Sequence, residues 1–107
     1  DAEWHRQSNV ESSRRRRVYA EKIMAALGCT FDSSQVGMFL WGRIPDVYQD
    51  AEELTEMVLH EARVFITPGF IFGSNGRRYI RISLCAKDEK LQEALCRIEQ
   101  MVAGRPR

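Results

Sequence analysis

The sequence has little glycine, proline or cysteine, and it contains no long hydrophobic run. Seven glycines and three prolines are spread over 107 residues, of which 44% are hydrophobic and 29% charged. This composition is that of an ordinary globular domain, and it excludes collagen-like and intrinsically disordered chains. The length fits one domain over residues 1–107 and leaves no room for a second independent core.

The three cysteines, Cys29, Cys85 and Cys96, are too few and too scattered for a disulfide framework. None of them lies in a CxxC or Cys/His spacing, so the sequence predicts no zinc site. We expect a reducing, cytoplasmic setting, in which Cys85 and Cys96 are small buried hydrophobic residues.

The sequence also lacks a large excess of either positive or negative charge. Sixteen Lys and Arg residues face fifteen Asp and Glu residues, which leaves a net charge of +1. Such a balanced chain has no field that would attract nucleic acid or an anionic membrane. The four arginines at 14–17 share a predicted helix with Glu11 and Glu21, so we interpret them as a solvated or domain-contact surface. His5 and His60 lack metal-ligand spacing, which predicts no metal site.

The apolar runs at 37–41 and 64–67 are far shorter than the roughly 20 residues that cross a bilayer. We therefore expect no membrane span. The sequence begins at Asp1 rather than Met, and its first residues do not form a signal peptide. The expectation is a piece of a longer protein.

Periodicity and turn residues predict the secondary structure. A helix is expected over 4–27, closed by Gly28. A second helix is expected to begin at the capping pair Asp50 and Glu53 and to end at 61 or 62, and a third is expected to be capped by Asp88 and to end near Gly104. The Asn75-Gly76 pair favours a tight turn. Strands are expected over 29–31, 38–44, 64–67 and 79–84, with Pro68 halting the third and the following Gly69 permitting positive φ. This order predicts an α+β fold, a two-layer sandwich in which a small, mostly antiparallel or mixed sheet carries its helices on one face.

Arg81 is the leading candidate for a functional side chain. It alternates with Ile80 and Ile82 along the last predicted strand, so it lies on the polar face, where a sheet holds a side chain rigidly. Its guanidinium offers a planar fork that matches a carboxylate. The alternation alone also fits an ordinary solvent-facing arginine.

Two neighbouring motifs favour the functional interpretation. Residues 68–76 have the sequence PGFIFGSNG and residues 79–84 have the sequence YIRISL. Together they resemble the closing V-x-x-x-PG-x-x-FG-x-x-G-x-x-YIRIS pattern of pyridoxal-phosphate-dependent aminotransferases of the aspartate aminotransferase type, class I/II and fold type I. The resemblance extends backwards through residues 37–41 to the arginine-rich helix and forwards through Leu91, Leu95 and Ile98, so it covers nearly the whole chain.

The resemblance implies roles for particular residues. Arg81 matches the arginine that binds the α-carboxylate of the amino-acid substrate. Pro68, Gly69, Phe72 and Gly73 match the loop that shapes the entrance to the site. The region would be the C-terminal small domain, a lid that closes over an amino acid or 2-oxo acid and excludes water. No residue of this chain is expected to be catalytic.

The chain departs from the family where the cofactor would bind. Such enzymes hold pyridoxal 5'-phosphate through a Schiff-base lysine, an aspartate at the pyridinium nitrogen and phosphate-binding residues. Lys22, Lys87 and Lys90 lie on or beside predicted helices, where solvated charge is the expected role. We therefore expect a fragment without its cofactor-binding large domain, inactive and without cofactor when isolated.

The implied partners are the chain's own large domain and the second subunit of a homodimeric, cytoplasmic parent enzyme. A rival interpretation is a freestanding α+β module that binds small molecules or dimerises through its sheet. That rival requires a complete pocket within these residues.

Overall fold

The computed structural model describes residues 2–69 and 74–104, with side chains for 11–69 and 76–104. Within these residues, three helices pack on one face of a three-stranded antiparallel sheet, which confirms the predicted α+β class. Two of the four predicted loop residues, Phe72 and Gly73, lie outside the described residues.

Helix α1 spans Ala2–Ala26 and ends in a hydrogen-bonded cap. Gly28 has a φ of +77°, which is the left-handed conformation that glycine adopts without steric cost. The Gly28 N–H donates to the Ala25 carbonyl and the Cys29 N–H donates to the Met24 carbonyl, which is a Schellman motif. The predicted termination at Gly28 is confirmed.

Helix α2 spans Ala51–Ala62 and begins at the predicted cap. The Asp50 carboxylate accepts a hydrogen bond from the Glu53 N–H at 3.0 Å, and the Glu53 carboxylate accepts one from the Gln49 N–H at 2.6 Å. This exchange satisfies N–H groups that the first helical turn leaves without partners. At the other end Arg63 lies in the left-handed region, with φ 58° and ψ 38°.

The sheet consists of β1 at Phe39–Arg43, β2 at Thr67–Pro68 and β3 at Tyr79–Ser83, in the order β1-β3-β2. Two predicted strands are shorter than expected. Residues 29–31 form only an isolated bridge between Thr30 and Arg43, and residues 64–66 leave the sheet, so the third strand pairs at two residues. Both segments have the composition of a strand, but only Thr30 of the first and Thr67 at the end of the second reach a partner strand.

Helix α3 spans Asp88–Ala103. The prediction that Asp88 caps this helix is wrong, because Lys87 is the N-cap residue and no side chain caps there. The Asp88 carboxylate instead accepts hydrogen bonds from Ser12 Oγ at 2.8 Å and Arg15 Nε at 2.9 Å. It joins α3 to α1.

The hydrophobic core lies between the helices and one face of the sheet. Its buried members alternate along the strands and recur at helical spacing on α1, α2 and α3. The largest fully buried side chains are Ile23, Met24, Leu40, Ile44, Leu54, Val58, Ile80 and Ile98. Because the described helices all pack on this one side, the opposite face of the sheet has none of them above it.

A 3₁₀ helix at Ser74–Arg78 leads into β3 and takes the place of the tight turn predicted from Asn75 and Gly76. Gly69 does not use the positive φ that glycine permits. Glycine is required there by close packing, since a Cβ atom would lie 2.6 Å from the Gly76 carbonyl oxygen and 2.8 Å from that of Tyr79.

Candidate functional site

Arg81 occupies the middle of the central strand, on the helix-free face. It is paired with Trp41 of β1 on one side and with Thr67 of β2 on the other. Ile80 and Ile82 point into the core, as the sequence predicts, so the pleat turns Arg81 the opposite way. A central strand bonded on both sides gives this side chain a rigid base.

The guanidinium of Arg81 stacks on an aromatic ring. Its Cζ atom lies 3.9 Å from the centroid of the Phe39 ring and 5.9 Å from that of Trp41. Cations within about 6 Å of a ring centroid are attracted by the electron-rich face. Arg81 is half-buried, so any ion pair it forms is partly shielded from water. A cation held in this way is suited to bind a carboxylate.

The described part of the predicted loop lies next to Arg81. Pro68 is buried and pairs with Ile80, and the buried Gly69 packs against the Gly76 and Tyr79 backbone. These contacts fix the path by which the loop leaves the sheet beside β3. They fit a shaping role for Pro68 and Gly69 and no direct chemical one.

Arg78 is a structural arginine that sequence reasoning missed. Its Nη1 donates to the carbonyls of Tyr48 at 2.6 Å and Gln49 at 3.0 Å, and its Nη2 donates to the carbonyl of Pro45 at 2.9 Å. It therefore anchors the connection between β1 and α2 just before β3 begins. No local pattern signals this role, because its partners lie about thirty residues earlier.

Gln35 is a second residue that sequence reasoning missed. Its side-chain amide accepts from the Trp41 N–H and donates to the Trp41 carbonyl, both at 3.0 Å. Arg17 in turn donates to the backbone carbonyls of Ser33 and Gln35. The backbone of β1 at Trp41 is thus held from its outer side, across from the strand that carries Arg81.

A cavity of about 590 Å³ opens at the other edge of the sheet, where residues 63–66 diverge from β3. Apolar side chains form much of its wall, and charged ones surround them. The residues on the sheet side are Thr67, Arg81, Ile82 and Ser83, and those with charge are Arg63, Arg81, Lys90, Glu93 and Arg97. Arg97 and Glu93 pair at 2.6 Å. Arg81 thus borders a concave surface within this chain.

The arginine run at 14–17 is an intramolecular contact surface. Arg15 and Arg16 lie 2.9 and 3.7 Å from the Asp88 carboxylate, although Arg15, like Arg14, is exposed. The hydrogen bonds from Ser12 and Arg15 lower the pKa of Asp88 below its usual value, since they stabilise the ionised carboxylate. Part of the arginine run therefore attaches α1 to the start of α3.

The prediction that Cys85 and Cys96 are buried is wrong, because both are exposed. Cys85 follows the end of β3 and Cys96 lies on the outer side of α3, so neither reaches the core. Cys29 is the buried thiol, and burial raises its pKa to about 11 because the charged form is poorly solvated.

The three lysines of the chain lie among the helices. Lys22, Lys87 and Lys90 are all exposed, and they lie on or beside α1 and α3, in the helix layer. No lysine in the described ranges stands on the helix-free face with Arg81. Among the described residues no group of His, Cys, Asp and Glu is placed to hold a metal ion. No described helix has the length and apolar character that crossing a membrane requires.

Comparisons with known proteins agree with this architecture. Residues 2–98 match the model of the family described as aminotransferase class I and II. The chain is 33% identical over 93 residues to the transaminase BacF of Bacillus subtilis. That alignment covers 80% of this chain and 23% of that protein. It is 36% identical over 88 residues to an LL-diaminopimelate aminotransferase of Oleidesulfovibrio alaskensis. This second alignment covers 82% of this chain and 22% of that protein.

A solved structure with a similar fold is the aromatic aminotransferase from Pyrococcus horikoshii OT3. It aligns with a TM-score of 0.77 and 30% sequence identity, over 96% of this chain and 28% of that one. The chain thus spans about a quarter of the length of the relatives it matches. With a family match over nearly its whole length and relatives above 30% identity, the chain belongs to the class I and II aminotransferase family.

Proposed function

We propose that this chain is the C-terminal small domain of a pyridoxal-phosphate-dependent aminotransferase of the aspartate aminotransferase type, and that Arg81 binds the carboxylate of its substrate. The observation that carries the proposal is the position of Arg81 in the YIRIS strand, half-buried and stacked on Phe39 on the helix-free face. Family membership supports the reaction class.

Arg81 would bind and orient the substrate. A guanidinium and a carboxylate can form two parallel charge-assisted hydrogen bonds, each worth about 1.5–3 kcal/mol when partly desolvated. Two such bonds fix the direction of the substrate as well as its position. An arginine stays protonated throughout the physiological pH range, so it does not transfer protons.

The parent enzyme would move an amino group between an amino acid and a 2-oxo acid. Pyridoxal phosphate supplies the electron sink for that reaction when bound, and its holding residues would lie in the large domain, outside this chain. The described lysines support this division, because all of them are exposed in the helix layer. The isolated chain would then be inactive and would bind no cofactor.

The remaining assignments follow from the same proposal. The helix-free face would meet the large domain, so that closure brings Arg81 to the substrate and excludes water. Pro68, Gly69, Phe72 and Gly73 would shape the entrance. The parent would act as a cytoplasmic homodimer.

The direct test is substitution of Arg81 in the full-length protein. Losing one partner of a buried charge pair costs roughly 2–5 kcal/mol, so we expect Arg81→Ala to raise the KM for the amino acid about 30-fold or more. Arg81→Lys, which keeps the charge but loses the fork, should recover only part of the loss. An unchanged KM in both variants would remove Arg81 from the site.

A second experiment separates this proposal from the freestanding module. The purified chain is mixed with pyridoxal phosphate, reduced with borohydride and analysed by peptide mapping. We expect no stoichiometric adduct at any single lysine. An adduct at one site, followed by transamination, would contradict the fragment assignment.

A further inference from the structure

We propose that Phe39 is a positioning residue for the carboxylate site, because its ring holds the Arg81 guanidinium in the orientation that binds substrate. The inference rests on the proposed function of Arg81. The sequence motif that identifies Arg81 assigns no role to Phe39.

The register of the sheet places the two side chains together. Phe39 pairs with Ser83 and Trp41 pairs with Arg81, so Phe39 and Arg81 are diagonal neighbours on adjacent antiparallel strands. Diagonal neighbours are within reach of each other when one side chain is aromatic and the other long. Leu40 is fully buried in the core, so its neighbours Phe39 and Trp41 share the helix-free face with Arg81.

The contact between the two side chains is close. The Arg81 Cζ atom lies 3.9 Å from the Phe39 ring centroid, well inside the distance of about 6 Å over which an aromatic ring attracts a cation. This attraction draws the guanidinium of Arg81 towards the ring and restricts where it can lie.

Stacking also reduces the cost of binding. A long arginine side chain loses considerable rotamer freedom when it is fixed, and a substrate that fixes it must compensate for this loss. The half-buried Phe39 ring restricts Arg81 before any substrate arrives. Trp41 lies 5.9 Å away, at the outer limit of an effective interaction, so the assignment falls on Phe39.

The test uses the full-length protein with Phe39→Leu, which keeps an apolar side chain without a ring, and Phe39→Tyr, which keeps the ring. Two quantities are measured: the KM for an amino acid that the wild type turns over, and the inhibition constant of propionate, a simple monocarboxylate. We expect Phe39→Leu to raise both about 3- to 10-fold with little change in kcat, and Phe39→Tyr to stay near wild type. The inference would be overturned if Phe39→Leu and Phe39→Tyr changed the two constants equally. It would also be overturned if Phe39→Leu left both constants unchanged.

Two controls separate positioning from other causes. Val47→Ala truncates an apolar side chain that is 80% exposed, away from Arg81 and the cavity beside it, and should leave both constants unchanged. In an Arg81→Ala background, Phe39→Leu should raise neither constant further, because its target is gone. An additional rise there would mean that Phe39 acts independently of Arg81, which would contradict the proposal.

The same measurements distinguish this inference from the proposed function. If Arg81→Ala leaves KM and propionate inhibition unchanged, the proposed function fails and the inference fails with it. If Arg81→Ala raises both but Phe39→Leu raises neither, only the inference fails. Should Phe39→Leu not fold, Phe39→Met gives the same comparison, since it fills similar space without a ring.

Discussion

The two faces of the small sheet differ in what covers them and in what their residues do. On one face Leu40 and Ile80 are fully buried beneath the helices. On the other, Phe39, Trp41 and Arg81 are half-buried, and none of the three described helices lies above them. Both sets alternate along the same two strands. The covered face therefore accounts for the fold, and the uncovered face keeps the residues that can meet a ligand or another domain.

This division explains why an arginine is stable in mid-strand. A charge turned towards the helices would be buried among aliphatic side chains, at a large desolvation cost. Turned the other way, the Arg81 guanidinium keeps a polar environment and gains the Phe39 ring. The period of two in the strand thus places the core residues and the arginine on opposite faces of the sheet.

The strongest test of the comparison places one substitution on each face of β3. Ile80→Ala should reduce the free energy of unfolding by about 3 kcal/mol, since it leaves a cavity in a tightly packed core. Tyr79→Ala, on the other face and 36% exposed, should cost under about 1 kcal/mol. Urea unfolding of the chain gives both values. Equal losses would contradict the division of roles.

The next effect concerns the loop that leaves the sheet beside β3. Gly69→Ala should cost about 2 kcal/mol, because the added Cβ meets two backbone oxygens that cannot rotate away. Gly104→Ala is the matched control. Gly104 has a φ of −85°, and an added Cβ would meet its nearest atom, the Gln100 carbonyl oxygen, at 3.5 Å, so this substitution should cost little. If Gly69→Ala left the free energy of unfolding unchanged, the backbone around residue 69 would be able to shift and accept a Cβ atom.

A smaller and opposite effect is expected where α2 turns towards β2. Arg63 holds a left-handed conformation that costs a residue with a Cβ roughly 1–2 kcal/mol. Arg63→Gly should therefore raise the free energy of unfolding by about 0.5–1 kcal/mol after the entropy of the unfolded chain is counted. Arg63→Ala, which keeps the strain, should give no such gain in the same urea experiment.

The smallest effect concerns the attachment of α1 to α3. The pKa of Asp88 is lower in the folded chain, so its contribution to stability is present above the unfolded value of about 3.9 and is lost as the pH falls through the folded one. Asp88→Asn should be less stable than wild type at pH 7, and the gap should close below about pH 4. Asp46→Asn, at a carboxylate 97% exposed, is the control and should show a smaller gap at pH 7. If the difference in stability between Asp88→Asn and wild type did not change with pH, the charge of the Asp88 carboxylate would have no role in this attachment.

Local signals in the sequence predicted the elements well. The Asp50 and Glu53 pair predicted the start of α2, Gly28 predicted the end of α1, and the alternation of YIRIS placed Arg81 opposite the core. Each of these features is decided by residues close together in the chain. For the same reason they are visible without a structure.

Long-range contacts were not predictable in this way. Residues 64–66 resemble a strand, yet whether they pair depends on where β3 lies and not on their own composition. Asp88 resembles a helix cap, but Ser12 and Arg15 reach it from over seventy residues away. The stacking of Arg81 on Phe39 likewise follows from the register of two strands, which the sequence does not specify.

The side chain of Gln35 has a consequence for how the sheet can associate with other chains. An open strand edge is a template on which a foreign strand can add. Here the Gln35 amide already occupies the middle of the outer β1 edge, hydrogen-bonded to both backbone polar groups of Trp41. Strand addition at that edge would first have to displace this amide, so it protects the chain against edge-to-edge aggregation.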